Sequence, residues 1–315
     1  MRIVEGEAVR KHLTAKACIS VMRQALADLE NGTYSQPPRM ICIMPNTAKF
    51  GFMPAYVGEY FGAKVLNAYG PNEGTEYPSH IGYVMLFESE HCTVAGLVDA
   101  TSITEIRTGA VSAVATDLLA RKDAHRLAFI GAGAQARSHL AAIREVRTIT
   151  EVSVYDIRPE SARRFCREME EAYHIPVTVC GSVREAVKDA DIICTVSPGT
   201  EPVVFADMVE PGCHINAVGT FTPTTREVAS DLMAKGKLYA DQVEAMKRES
   251  GEFLIPKEEK LLDDSAIRGS IGDVILGNVK GRESEEEITI FDALGLAVED
   301  VASAAYVMKM EHEEE

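Results

Sequence analysis

The chain has 315 residues, 46% of them hydrophobic and 25% charged, which is the balance of an ordinary globular protein and enough length for two domains. Its net charge of −16 repels nucleic acid, and no Lys/Arg cluster offsets it. No apolar run reaches the ~18 residues that a spanning helix needs, and the N-terminus MRIVEGEAVRKHL scatters charges where a signal peptide would be apolar. Seven cysteines occur without any C-x-x-C pair, so they read as reduced, buried thiols of a cytoplasmic protein. The acidic runs at 283–287 and at the terminal EHEEE read as solvated loop and tail.

In chain order, Thr14 caps a helix running to about residue 30, with apolar residues at three- and four-residue steps, and Asn31-Gly32 ends it. Strand-like runs follow at 40–44, 63–68, 81–87 and 92–98, the last two flanking a hairpin turn at 88–91. A long helix covers 101–120. Past residue 123 strands and helices alternate. Strands are expected at 127–130, 152–155, 177–180, 192–196, 214–218 and 238–240. Helices are expected at 135–145, 160–173, 182–188 and 227–235. Such alternation means an α/β fold with a doubly wound parallel sheet. The closing run 288–291 and the helix 298–310 have no parallel strand left to serve, and are expected to pack back on the first domain.

The stretch RLAFIGAGAQARSHL, 126–140, carries G-x-G-x-x-A between an apolar strand and a helix. Gly131 permits the tight turn, Gly133 admits a pyrophosphate to the backbone, and Ala136 lets helix and strand pack closely. Ala132, Ala134 and Gln135 complete the turn, and the helix N-terminus offers free N–H groups to phosphate. Asp156 ends the next strand 25 residues after Gly131 and suits the adenine-ribose hydroxyls. A carboxylate there favours NAD(H) over NADP(H), although Arg158 close by leaves NADP(H) open. Ligands bind beyond the carboxyl ends of parallel strands, which adds Thr195, Val196, Ser197, Val218, Gly219 and Thr220 as cofactor contacts.

Three basic residues of the first domain could hold a small acid: Arg39 after Pro37-Pro38, Lys64 in the apolar run FGAKVLNAY, and Arg107 in the first turns of ITEIRTGAVSA. Arginine there opposes the helix dipole, so an anion nearby would explain it. Composition and spacing alone do not select these three from 32 basic residues.

Along nearly its whole length the chain resembles the ornithine cyclodeaminase/mu-crystallin family. The matching pieces are PPRM, GAKVLN, AGLVDAT, ITEIRTGAVSAVAT, FIGAGAQARSHL, INAVGT and the long GDVILGNVKGRESEEEITIFDALGLAVEDVASA. The resemblance implies a Rossmann domain, 121–289, inserted into an α+β domain, 1–120 plus 290–315, that dimerises and binds substrate. It implies that Arg39, Lys64 and Arg107 surround the substrate carboxylate, with Lys64 the catalytic proton donor or acceptor, and it adds Thr108 to the cofactor contacts. No metal is implied: the eight histidines show no zinc-like spacing, and His80 reads as a structural residue.

Family cyclodeaminases carry an aspartate just after the strand that matches INAVG. Here its place falls at Phe221, with no acid before Glu227, so cyclodeamination of ornithine is doubtful. Members without the aspartate resemble reductases of imines and ketimines, or amino-acid dehydrogenases. The expected function is therefore NAD(P)H-dependent reduction of a small α-imino acid, such as Δ1-pyrroline-2-carboxylate, or alanine-dehydrogenase-type chemistry. Ornithine cyclodeamination and a non-enzymatic, mu-crystallin-like binding role stand as alternatives. Met53, Tyr77 and Phe221 are candidates for shaping the substrate pocket.

Overall fold

A computed structural model describes residues 1–72 and 75–314. The chain opens with β1 (Arg2–Val4), α1 (Gly6–His12) and α2 (Ala15–Glu30), the last capped by the Thr14 side chain as its sequence demands. Next come β2 (Met40–Ile43), β3 (Lys49–Tyr56), β4 (Tyr60–Ala68), β5 (His80–Glu88), β6 (Val94–Asp99) and α3 (Ala100–Leu119). The alternating part holds β7 (Arg126–Ile130), α4 (Ala134–Ile143), β8 (Glu151–Tyr155), α5 (Pro159–Tyr173), β9 (Val177–Val179), α6 (Val183–Val187) and β10 (Ile192–Thr195). It continues with β11 (His214–Ala217), α7 (Ser230–Lys235), β12 (Lys237–Ala240), α8 (Val243–Glu249), α9 (Gly251–Glu258), β13 (Ile267–Ser270), α10 (Ile271–Leu276) and β14 (Thr289–Asp292). The helix α11 (Ala297–Glu313) closes the chain.

Two compact units result: Met1–Arg107 with Leu296–Glu315, and Thr108–Gly295. The sequence set its boundaries at 120/121 and 289/290. The later turns of α3 fall with the second unit because Gly109 is pressed against Ser138, whose carbonyl oxygen would lie 2.6 Å from an added Cβ.

The first unit is a six-stranded sheet in the order β1-β6-β5-β4-β3-β2, antiparallel except for the β1–β6 pair. The strand β3 escaped the sequence reading because Gly51 and Pro54 interrupt its pattern. Pro54 lies beyond the last β2 pair, Met40↔Phe52, so its missing N–H breaks no bond on that side. One face carries the buried row Met53, Lys64, Val84, Val98 and Val4, against which α11 packs. The other face presents Met40, Phe50, Phe52, Tyr56, Ile81 and Val94, each between 36% and 53% exposed.

The second unit is an eight-stranded parallel sheet in the order β13-β12-β14-β11-β10-β7-β8-β9. Its central strands β7, β10, β11 and β14 are buried on both faces; β7 and β10 are mostly apolar runs, as that burial favours, whereas β11 and β14 bury His214, Asn216, Thr289 and Asp292 as well. The direction of winding reverses between β7 and β10, the place where doubly wound sheets bind ligands. One expectation is corrected here. The run 289–292 does not leave for the first unit. It enters the sheet between β11 and β12, pairing Thr289 with His214 and with Lys237. The strand has only four residues and follows a long polar connection, so its sequence gave no sign of a central partner.

Candidate functional site

In the first unit the chemistry gathers on the buried face of β4. Lys64, 5% exposed, donates from Nζ to Thr104 Oγ1 at 2.7 Å and to Asp300 Oδ1 at 3.2 Å. Thr104 Oγ1 in turn donates to the Ala100 carbonyl, which fixes it as an acceptor for the lysine. Arg107, 6% exposed, donates from Nε to Asp300 Oδ1 at 3.1 Å and from Nη1 to Glu299 Oε2 at 2.7 Å. Asp300 thus joins the two cations. Burial pulls the Lys64 ammonium below the usual lysine range and Arg107 adds to the effect, while Asp300 opposes it. Nζ also lies 3.3 Å from Asp300 Oδ2, so both oxygens of that carboxylate face the ammonium.

Arg39 is half-buried at the foot of the edge strand β2. It stands one step beyond the Met40↔Phe52 pair, so the register sets it in the row of Met53 and Lys64, on the same face of the sheet. The anion that the position of Arg107 called for is supplied by the chain itself, as Glu299 and Asp300. Sequence reasoning missed both acids and Thr104. Two adjacent carboxylates in the otherwise apolar AVEDVASAAYVM were the available signal, because acids are buried when they are paired. Cys18, buried beside them, has its thiol pushed up to about 12 by burial and stays protonated. At the surface His12 and Glu311 meet at 2.7 Å, and Arg2 also pairs with Glu311 at 3.7 Å.

In the second unit the glycine turn follows β7. Gly131 has φ +104°, a conformation that side chains avoid, and an added Cβ would lie 2.8 Å from the Val196 carbonyl oxygen. The loops after β7 and β10 therefore abut at the switch point. A Cβ on Gly133 would meet nothing within 4 Å, so the space before α4 is open to a phosphate group. Gly133 and Ala134 are exposed there, while Ala136 is wholly buried against the sheet. Asp156 accepts from the N–H groups of Ala132 and Arg158, each at 2.8 Å, which fixes its carboxylate at the end of β8. Arg158 is exposed, its Nε 3.9 Å from Asp156. These residues fit a dinucleotide.

The loops after β10 and β11 are tied by an acid that the sequence reading had set on a helix. Glu227 is extended, its carbonyl accepting from Val203 and Val204, and α7 begins only at Ser230. Its fully buried carboxylate accepts from Ser197 N at 2.9 Å, Ser197 Oγ at 2.6 Å and Gly219 N at 2.9 Å. Burial pushes it up to about 7, against the pull of these hydrogen bonds. Glu252, on α9, accepts from the N–H groups of Glu227 at 2.6 Å and Val228 at 3.0 Å. Burial, with Asp292 nearby, drives Glu252 well above the usual carboxylate range, and burial raises Asp292 to about 7. Thr195 and Thr220 are buried at the ends of these loops.

Among the suggested pocket residues, Met53 is buried beside Lys64 in the sheet, whereas Tyr77 and Phe221 are 63% and 53% exposed. His80 starts β5, with Nδ1 3.2 Å from Ser79 Oγ. The cysteines divide: Cys18, Cys194 and Cys213 are buried, but Cys92 is exposed, because it follows the hairpin turn rather than opening the strand.

A family model described as the ornithine cyclodeaminase/mu-crystallin family matches residues 2–315. The ketimine reductase mu-crystallin of Mus musculus is 36% identical over 311 residues, covering 96% of this chain and 95% of that protein. The structure of the Thermococcus litoralis Δ1-pyrroline-2-carboxylate reductase, in complex with NADH and L-proline, superposes with a TM-score of 0.96 at 34% identity, covering 100% of this chain and 98% of that one. An archaeal alanine dehydrogenase dimer with bound NAD gives 0.94 at 33% identity, covering 99% and 96%.

Proposed function

The chain belongs to the ornithine cyclodeaminase/mu-crystallin family, and from that premise we propose that it is an NAD(H)-dependent oxidoreductase of small α-imino and α-amino acids. The reaction is reduction of a C=N bond beside a carboxylate. The substrates of the ketimine, pyrroline-2-carboxylate and alanine relatives define the class. The observation that carries the reading is the buried Lys64–Asp300–Arg107 cluster, which couples a cation able to release a proton to one suited to a carboxylate.

Arg107 and Arg39 clamp the substrate carboxylate. Lys64 and Arg107 balance Glu299 and Asp300, so with Arg39 the site carries one net positive charge before substrate enters. The substrate carboxylate neutralises that charge, so the imine enters uncharged and takes its proton from Lys64. NADH, when bound, supplies the hydride. Lys64 holds a proton at the substrate nitrogen, and its lowered affinity for that proton eases the transfer. Most of the rate comes from orientation. Asp156 supports NADH over NADPH, since its fixed carboxylate repels a 2′-phosphate.

The exposed Phe221 supplies no acid for a cyclodeaminase step. The apolar outer face of the six-stranded sheet supports a homodimer joined through that sheet. Among the described residues no helix is long and apolar enough to cross a membrane, and all seven cysteines are free, which supports a cytoplasmic setting.

The test is loss of absorbance at 340 nm with NADH and NADPH separately, against Δ1-pyrroline-2-carboxylate, piperideine-2-carboxylate and pyruvate with ammonia. L-Ornithine with NAD runs beside them, assayed for ammonia and proline. NADH oxidation by an imino acid, abolished in Lys64→Ala, supports the reading. Proline and ammonia from ornithine, with no imine reduction, overturn it.

A further inference from the structure

We infer that Glu227 is a positioning residue for the dinucleotide: its buried carboxylate ties the loop after β10 to the loop after β11, and so holds two of the loops that face the cofactor. The inference rests on the dinucleotide reading of the second unit. Strands β10 and β11 are parallel neighbours, with Thr195 opposite Ala217, and the two loops leave them side by side. One Glu227 oxygen takes both the N–H and the hydroxyl of Ser197; the other takes the N–H of Gly219. Gly219 must be glycine for this to happen. An added Cβ would lie 2.1 Å from the Ser197 carbonyl oxygen and 2.3 Å from Glu227 Oε2. The neighbouring Val196 carbonyl closes on Gly131, so the tie reaches the glycine turn itself. Glu227 is held in its own place from behind, through its N–H to Glu252. Glu252 also takes the Thr220 hydroxyl at 3.3 Å, and Gly251 N–H donates to the Thr222 carbonyl at 3.0 Å.

An ionised Glu227 accepts from the Ser197 N–H and hydroxyl and from the Gly219 N–H, and offers no hydrogen of its own. Once protonated it carries a hydrogen of its own. The Ser197 hydroxyl can turn to receive it, but the backbone N–H groups of Ser197 and Gly219 cannot, so one tie loosens. The charged groups around it are Glu252 on α9, Asp292 at the end of β14, which faces Glu252, and Arg226, which turns to Glu259 at 3.3 Å. Neither neighbouring acid helps Glu227 to ionise. The loops are therefore held more firmly above neutrality than below it.

The experiment is titration of NADH fluorescence between pH 6 and 8 with the wild type, Glu227→Gln and Ser197→Ala, together with amide exchange at Ser197 and Gly219 in the protein without nucleotide. The wild type should bind NADH more weakly at pH 6 than at pH 8. Glu227→Gln should lose about tenfold in affinity, the scale of one hydrogen bond to a charged group, and lose the pH slope. Its Ser197 and Gly219 amides should exchange faster. Ser197→Ala removes only the hydroxyl tie; it should weaken binding by about threefold and keep the slope, which provides a second test if Glu227→Gln fails to fold. Equal affinity and slope in wild type and Glu227→Gln, or unchanged affinity in Ser197→Ala, would overturn the inference while leaving the dinucleotide reading intact. A wild type that binds NADH at no pH overturns both.

Discussion

Asp300→Asn tests the buried Lys64–Asp300–Arg107 cluster where it is most exposed to refutation. Asp300 accepts from Lys64 at 3.2 Å and from Arg107 at 3.1 Å, and it is wholly buried. At an effective dielectric of about 20, one such pair is worth about 5 kcal/mol of Coulomb energy, much of it offset by desolvation of both partners. Removing the carboxylate charge leaves two buried cations facing Glu299 alone. Breaking a buried pair in this way costs about 3–5 kcal/mol. Urea unfolding of the purified variant should show that loss. Adding Lys64→Met restores neutrality, with Arg107 against Glu299, and should return about 1–2 kcal/mol of it. A loss below about 1 kcal/mol, or a double variant no more stable than the single, would mean that these charges are not coupled in a buried site. The same variant should shift the kinetics. Asp300 raises the Lys64 ammonium, so its loss lowers the lysine further and moves the alkaline limb of kcat to lower pH.

Other outcomes follow from the same geometry. Glu227 rises from 4.5 to about 7 on folding, so its contribution to stability is complete below pH 4.5 and is lost as pH rises through 7; Asp292, raised from 3.8 to about 7, adds in the same direction. Chemical denaturation between pH 4.5 and 8 should show stability falling by about 3 kcal/mol for Glu227 alone, and Glu227→Gln should flatten that part of the slope. Asp156→Ser should raise the KM for NADH and lower that for NADPH, and an unchanged ratio would remove Asp156 from cofactor choice. Phe52→Lys, on the apolar sheet face, should halve the mass seen by light scattering if two copies meet there.

The second unit was largely legible in the sequence, because parallel strands buried on both faces read as short apolar runs and the glycine turn has a fixed spacing. What escaped was what depends on distant partners. The strand at 289–292 is four residues long, and only its pairing with His214 and Lys237 makes it central. Glu227 was read as helical because its neighbours favour a helix, yet the bridge between Val204 and Val228 holds it extended. The cations were visible at Lys64 and Arg107, but their carboxylate partners lie 236 and 192 residues away in sequence, at Asp300 and Glu299. Periodicity cannot report such a meeting; an apolar helix that carries two adjacent acids can prompt the search for it.

Transfer of label from NADH deuterated at both C4 positions tests the central claim most directly. Incubated with Δ1-pyrroline-2-carboxylate and the protein, the labelled cofactor should give proline carrying one deuterium at Cα by mass spectrometry, with none formed by Lys64→Ala. Unlabelled proline, or proline formed only from ornithine with release of ammonia, would contradict hydride transfer to a C=N carbon.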